Sequence, residues 1–380
     1  MNTLRKRTWA EIDLDAIRGN YSIIKSATAS KLCCVIKANG YGHGAVELAK
    51  LYEELGADFF AVSNIEEALQ LRSNQIIKPI LILGYTPVEC AALLSTNNIS
   101  QCVYSLEYAE KLNAQEVDVK VHIKLDTGMG RIGFRQDELD DALKACQLQN
   151  LITEGVFMHF AVADESTGGE DYTRKQFEKF QIVYQYLESH GVHFDIHHCA
   201  NSAAIFDYPE FHLDMVRAGV VLYGLKPSDK VVNLPELKPA LTLKSVISHI
   251  KEIEPGYSLS YGRAFVADKA MRVATVPIGY ADGFWRTNGN QKYAVMIGDK
   301  YAIILGRVCM DQMMVDVSEI ECHCGDQIII FGAEEKCCAD EIARVNGTIN
   351  YEVVCAIGER IPRAYYKDSQ IVSWKDNLVK

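Results

Sequence analysis

Lys37 closes an apolar run, Lys31-Leu-Cys-Cys-Val-Ile36, and is followed by Ala38-Asn-Gly-Tyr-Gly-His-Gly44. The run Lys31–Lys37 reads as a short buried strand, and the glycine-rich stretch behind it as a turn rather than a helix. An ammonium group at such a strand end has two readings. Its stem lies along apolar neighbours while its head reaches water, or its nitrogen faces a partly dry cavity. Desolvation disfavours the charged form and lowers a lysine pKa. A neutral amine attacks carbonyl groups, which makes this position a candidate Schiff-base lysine. On this segment alone the two readings are even.

Other residues of catalytic type recur at the ends of apolar runs. Lys124 and Asp126, then Arg131 in a glycine-flanked loop, lie in "HIKLDTGMGRIGF" (122–134). His159 ends "GVFMHFA" (155–161). Ser202 stands in "HCANSAA" (198–204), placed to cap the helix that follows. Arg217 is embedded in "DMVRAGVVLYG" (214–224). Each has a bland reading alone: Lys124 a residue at the barrel mouth, His159 a satisfied core histidine, Arg217 a member of a structural ion pair.

The elements that carry these residues give them a common place. Strand-like runs are Lys31–Lys37, Ala57–Ser63, Pro79–Leu83, Ser100–Tyr104, Asp118–Leu125, Glu154–Phe160, Phe194–Cys199 and Met215–Tyr223. Helical patterns lie between most of them: Asn64–Arg72, Pro87–Ser95, Leu106–Asn113, Asp137–Cys146 and Tyr172–Ser189. Eight such strands with intervening helices predict an α/β fold, a (β/α)8 TIM barrel. No GxGxxG turn opens the first βα unit, which weakens a dinucleotide-binding alternative. Barrel enzymes place their chemistry at the C-terminal strand ends, so the residues above converge on one mouth. A helix start and glycine backbone after strands seven and eight is the usual phosphate position in such barrels. A lysine plus a phosphate site implies pyridoxal 5′-phosphate.

Periodicity changes near "VVNLPELKPA" (231–240). Beyond it, runs of period two occupy Leu241–Ile250, Met271–Pro277, Lys292–Ile297, Ala302–Leu305, Met313–Val317 and Gln327–Phe331, and only Ala339–Asn346 reads as helical. The expected division is a barrel over residues 10–237 and a mostly β C-terminal domain over 238–380, with residues 1–9 packing on the latter.

Length of 380 residues, 48% hydrophobic and 23% charged, suits a globular chain of this organisation. A net charge of −11 argues against nucleic acid or an anionic membrane as partner. No apolar stretch reaches membrane-spanning length, and the basic N-terminus has no apolar block behind it, so no secretory signal is expected. The twelve cysteines form no zinc-ribbon spacing, and adjacent strand cysteines such as Cys33 and Cys34 point to opposite faces. The reading is a cytoplasmic protein with reduced, packed thiols and no metal; "HFDIHHC" (193–199) lies on a strand whose neighbouring side chains diverge.

The segment "VIKANGYGHG" resembles the cofactor-lysine motif of the alanine racemases. The resemblance runs through "TWAEIDLDAIRGNY" (8–21), "KLDTGMGRIGF" (124–134), "MHFAVADE" (158–165), "VRAGVVLYG" (216–224), "SLSYGRAF" (258–265), "VPIGYADGF" (276–284), "GRVCMDQMMVDV" (306–317) and "INYEVVCAIGERIPR" (349–363). It implies a barrel, a β-rich C-terminal domain, pyridoxal phosphate and a homodimer.

By that resemblance Lys37 holds the cofactor and is one of two bases, and Tyr261 is the other. A racemase needs a proton carrier on each face of Cα. A free tyrosine near pKa 10 is a poor base at neutral pH, so a cationic neighbourhood is wanted, to which His159 and Arg217 would contribute. Arg217 resembles the partner of the pyridine nitrogen; it keeps its proton, which leaves a weaker electron sink and favours return of the proton to Cα. Related barrel decarboxylases place a glutamate there. Arg131 and the Met310 amide match the carboxylate site, and Lys124 matches a lysine, often carbamylated, that positions the arginine. Tyr41, Ser202, Gly219, Val220 and Tyr351 match phosphate contacts; His159 packs on the pyridine ring, with Asn201 and Arg307 supporting the cofactor. Tyr280, Cys309, Met310 and Asp311 belong to motifs that narrow the entrance, and Tyr261 and Met310 come from the partner subunit. Gly358-Glu359 replaces a commoner Ser-Tyr.

The implied activity is interconversion of L- and D-alanine, supplying D-alanine for peptidoglycan. A serine or broad-specificity racemase is the nearest alternative, since a methyl pocket rejects an added hydroxyl poorly. A barrel decarboxylase and a non-catalytic pyridoxal-phosphate carrier are the others; the carrier would lack a second-domain base.

Overall fold

The computed structural model describes residues 7–379. They form two compact units. One comprises residues 18–40 and 44–237; the other comprises the described residues up to Ile17, Tyr41–His43 and the chain from Lys238 onward. The chain opens in the latter with β1 (Thr8–Asp13).

The larger unit is a parallel barrel of eight strands: β2 (Lys31–Val35), β3 (Phe59–Val62), β4 (Ile80–Ile82), β5 (Ile99–Val103), β6 (Val119–Lys124), β7 (Leu151–Phe157), β8 (Ile196–His198) and β9 (Met215–Ala218). Neighbours follow chain order from β8 back to β2, and β9 pairs with β2 through Lys31↔Met215 and Cys33↔Arg217. The seam between β8 and β9 is joined by single bonds: Asp214 N–H donates to His197 O at 3.1 Å and Arg217 N–H to Ala200 O at 3.0 Å. Strands covered on both faces need apolar side chains throughout, which is why Phe59–Val62 and Ile80–Ile82 are wholly buried. Asn64 and Ser105 cap the helices Ile65–Ser73 and Leu106–Asn113 by accepting from Glu67 N–H and Tyr108 N–H.

Two boundaries differ from the sequence expectation for physical reasons. The segment after Lys37 is a left-handed helical turn, not a loose glycine turn. Ala38 and Asn39 have φ 52° and ψ 48°, and Gly40 follows at φ 61° and ψ 45°. Each L-residue there costs about 1–2 kcal/mol, and local bonds hold the turn: Gly40 N–H to Ile36 O at 2.8 Å, Ala45 N–H to Asn39 Oδ1 at 3.0 Å, and Ala38 N–H to Glu67 Oε1 at 2.6 Å. The run Met215–Tyr223 leaves the sheet after Ala218. Gly219 (φ −115°, ψ −107°) turns the chain into a 3-10 helix, Val220–Tyr223, that stays buried and so keeps a strand-like composition.

The other unit is built on a ten-stranded sheet in which β1 lies between Leu241–Val246 (antiparallel, Thr8↔Ser245) and Arg363–Lys367 (parallel, Ala10↔Arg363). Leu241–Val246 alternates buried and part-exposed residues, the signature of a sheet with one covered face. The expected run to Ile250 breaks at residues 247–248 and restarts as His249–Ile253. A second helix, Asn350–Cys355, follows Ala339–Asn346; six residues are too short to show a period. Gly42 lies in this unit against helix Asn350–Cys355: a β-carbon there would stand 2.1 Å from Val354 O. Its carbonyl accepts from Arg363 Nε at 3.1 Å. Among the described residues no helix is long and apolar enough to cross a membrane.

Candidate active site

At the barrel's C-terminal strand ends, Lys37, Lys124, Arg131, His159 and Arg217 share one electrostatic neighbourhood. Burial, reinforced by the charges of Arg217, Arg131, Lys124 and Lys37, holds the His159 imidazole well below its usual range. His159 is therefore neutral near pH 7. This corrects the expectation that it adds positive charge to the site; it can donate or accept a hydrogen bond, and Arg217 Nη2 lies 3.4 Å from its Nδ1.

Arg217 is buried, yet none of its partners among the described residues is a carboxylate. Nη1 donates to His198 Nδ1 at 2.9 Å, and Nη2 donates to Met158 O at 2.8 Å and Cys199 O at 3.1 Å. Lys124 is also buried, with Nζ donating to Leu125 O at 2.6 Å. Burial lowers its pKa to about 8, the nearby Arg217 and Arg131 assisting against Cys102 and Asp126. Asp126 shapes the following loop by accepting from Gly128 N–H and Gly130 N–H, both at 3.0 Å, and Arg131 stands exposed beyond it.

Ser202 does not cap its helix. Asn201 Oδ1 takes that part, accepting from Ala204 N–H at 3.1 Å, while Ser202 Oγ accepts from Gly219 N–H at 2.9 Å. The exchange follows from β9 lying beside β8: Gly219 N–H is buried and needs an acceptor. Val220 is buried at the first position of the 3-10 helix, and its N–H has no acceptor among the described residues.

The β-rich unit carries the other expected residues. Tyr261 sits on a 3-10 turn, Tyr261–Arg263, framed by Ser260 (φ 67°) and Gly262 (φ 72°), and is 65% exposed. Ser260 Oγ ties this turn to the Arg307 backbone, donating to its carbonyl at 2.7 Å and accepting its N–H at 3.0 Å. Tyr280 N–H donates to Cys309 O and Ala281 N–H to Met310 O, which joins the Tyr280 and Met310 loops through their backbones. Met310 is exposed, and its N–H has no acceptor among the described residues. Asp311 pairs with Arg360 at 2.8 Å. The Tyr41 and Tyr351 rings lie with centroids 6.1 Å apart, tilted by 53°.

The family model for the alanine racemase N-terminal domain matches residues 12–227, and that for the C-terminal domain matches 240–365. The chain belongs to the alanine racemase family. It is 45% identical to the alanine racemase of Desulfovibrio desulfuricans, across 96% of this chain and all of that one. It is 44% identical to that of Clostridium perfringens strain SM101 over the full length of both. Among solved structures, alanine racemase of Clostridium difficile 630 superposes with a TM-score of 0.94 at 44% identity, covering 99% of this chain and 100% of that one. The Bacillus anthracis alanine racemase with bound L-Ala-P does so at 0.93 and 36% identity, covering 99% of each.

The residues of this alanine racemase family member fit pyridoxal phosphate on their own chemistry. Val220 N–H lacks an acceptor beside the Ser202 hydroxyl, a ready position for phosphate oxygen. Arg217, without a carboxylate, has donors left for a ring nitrogen. Sequence reasoning missed Glu67, which holds the Ala38 amide, and Arg286, whose guanidinium lies 6.0 Å from the Tyr261 ring centroid. Both act through contacts far apart in sequence, so no local motif marks them.

Proposed function

We propose that this chain racemises alanine by a two-base mechanism in which Lys37 and Tyr261 serve opposite faces of the substrate, supplying D-alanine for peptidoglycan. The buried, carboxylate-free Arg217 at the end of β9 carries the reading. Lys37 holds pyridoxal phosphate, with Ser202, Gly219, Val220, Tyr41 and Tyr351 at its phosphate, His159 against its ring, and Asn201 and Arg307 beside it. When bound, the cofactor supplies the electron sink for Cα. Arg217 donates to the ring nitrogen without yielding a proton, which limits that sink and favours return of the proton to Cα. Arg131 and the Met310 amide receive the substrate carboxylate; a fork-shaped guanidinium matches its two oxygens. Carbamylation of Lys124 would give Arg131 an anionic partner to orient it. Tyr280, Cys309 and Asp311 narrow the way in. A second copy of the chain supplies Tyr261 and Met310.

Each base holds or releases one proton at Cα. Incubation with L-alanine in deuterium oxide therefore yields D-alanine carrying deuterium at Cα, read by chiral chromatography and mass spectrometry. Carbon dioxide release with deuterated amine product would replace this reading with decarboxylation. Equal turnover of serine would broaden the substrate assignment.

Arg217→Glu is expected to slow racemisation at least about tenfold, the scale of a lost charge-assisted hydrogen bond. Keto-acid formation per turnover should rise, because a glutamate could give the ring nitrogen the proton that Arg217 keeps. Unchanged partitioning between the two products would refute this role for Arg217.

A further inference from the structure

Behind Arg217 the barrel interior holds an unbroken chain of polar side chains that the proposed reaction does not use. Arg217 Nη1 lies 2.9 Å from His198 Nδ1, His198 Nε2 lies 2.8 Å from His122 Nδ1, and His122 Nε2 lies 3.1 Å from Glu154 Oε2. Ser100 Oγ donates to the same carboxylate oxygen at 2.5 Å, and Lys120 Nζ stands 3.5 Å from its partner oxygen. Both imidazoles and Arg217 are buried, and the relay meets the surface at Glu154, whose side chain is 14% exposed.

The polarity of this chain follows from one fact. A guanidinium only donates, so His198 Nδ1 must accept, and the His198 proton sits on Nε2. That proton points at His122 Nδ1, which must accept in turn. His122 then carries its own proton on Nε2 and gives it to Glu154. Every hydrogen bond points from Arg217 towards the carboxylate, and both rings are neutral Nε2–H tautomers. The environment agrees. Burial, then the charge of Arg217, holds His198 well below the usual imidazole range. Burial works to raise the Glu154 carboxyl, but hydrogen bonds from His122 and Ser100, with the charge of Lys120 nearby, outweigh it and hold it below the usual carboxylate range.

The backbone is shaped for these rings. A β-carbon at Gly155 would stand 2.5 Å from His122 Nδ1, so the ring occupies the place of a missing side chain. The β6–β7 pairing slips at this point, between Val121 and His122. Phe157 stacks on His198 at 4.8 Å with an interplanar angle of 7°, and the Phe59 ring centroid lies 5.8 Å from that of His122 at a steep angle.

We propose that Glu154 is a positioning residue for the reaction: through His122 and His198 it holds the Arg217 fork in one orientation and balances its charge from the side of the barrel away from the mouth. The proposal rests on Arg217 being the ring-nitrogen partner. A buried guanidinium without a counterion is costly, and a carboxylate in direct contact would pull its donors away from the ring. Two intervening imidazoles supply the compensation at a distance and leave the forward N–H groups available.

The test uses the holoenzyme labelled with 15N-histidine. Long-range 15N–1H spectra should show His122 and His198 as Nε2–H tautomers from about pH 6 to 9, where an ordinary imidazole titrates. Glu154→Leu should release His122 into mixed tautomers and lower kcat about tenfold with KM for alanine within about twofold, the lower end of what loss of a partner behind a ligating side chain costs. Glu154→Gln, which keeps an acceptor oxygen, should restore the tautomer and most of kcat. Should Glu154→Leu not fold, the wild-type spectra and the Gln variant decide alone. A proton on Nδ1 of either ring, an imidazolium in that range, or unchanged tautomers and kcat in the Leu variant would overturn the relay. Tautomers as described in a protein that racemises nothing would leave the relay standing and sink the functional reading instead.

Discussion

Tyr261→Phe should fold normally and lose racemisation in both directions by at least about a hundredfold, the lower end of what a positioned acid–base group contributes. The substitution removes one oxygen from a side chain that is 65% exposed on its turn, so no core contact is lost. The chemistry is what changes. Inversion requires a proton to leave one face of Cα and another to arrive on the opposite face. With the phenol gone, Lys37 still serves its own face, so one enantiomer should continue to exchange its Cα hydrogen with deuterium oxide and retain its configuration. Proton NMR of each enantiomer separately measures this. Equal exchange of both enantiomers, or full racemisation, would show that Tyr261 is not the second base.

Lys37→Ala removes both the covalent attachment of the cofactor and one proton carrier. Racemisation should fall by more than about 10⁴-fold, the combined scale of nucleophilic and acid–base contributions. Borohydride treatment of the wild-type holoenzyme followed by peptide mapping should place a pyridoxyl group on Lys37, and the variant should carry no such label. A label on Lys124 would reassign the attachment, and Lys124 is a fair competitor: its amine, brought to about 8 by burial, is nucleophilic near neutral pH. The fold should tolerate the change, because the turn around Lys37 is held by its neighbours, through Gly40 N–H to Ile36 O and Ala38 N–H to Glu67.

Much of the architecture was legible in the sequence because burial imposes a period. All eight barrel strands lie within or beside the apolar runs expected for them, and helices Leu106–Asn113 and Ala339–Asn346 have the expected bounds. The departures share one cause. Val220–Tyr223 is as buried as a strand, so composition could not separate it from β9. The left-handed turn after Lys37 contains only one glycine among its first three residues; Glu67, twenty-nine positions away, helps hold Ala38 there. The strand Thr8–Asp13 pairs with residues at least 229 positions distant, and its place in the second sheet is not marked by its own side chains.

The sequence by itself determined the order of elements, the lysine, histidine and arginine types at the strand ends, and the resemblance that joins them, because hydrophobic period and short motifs are local properties of the chain. Only the tertiary structure decided that His159 is neutral, that Asn201 rather than Ser202 caps the helix, and that Arg217 is backed by two imidazoles ending on Glu154. Protonation and hydrogen-bond direction depend on burial and on charges brought together from remote strands, and those quantities do not exist until the barrel has closed around them.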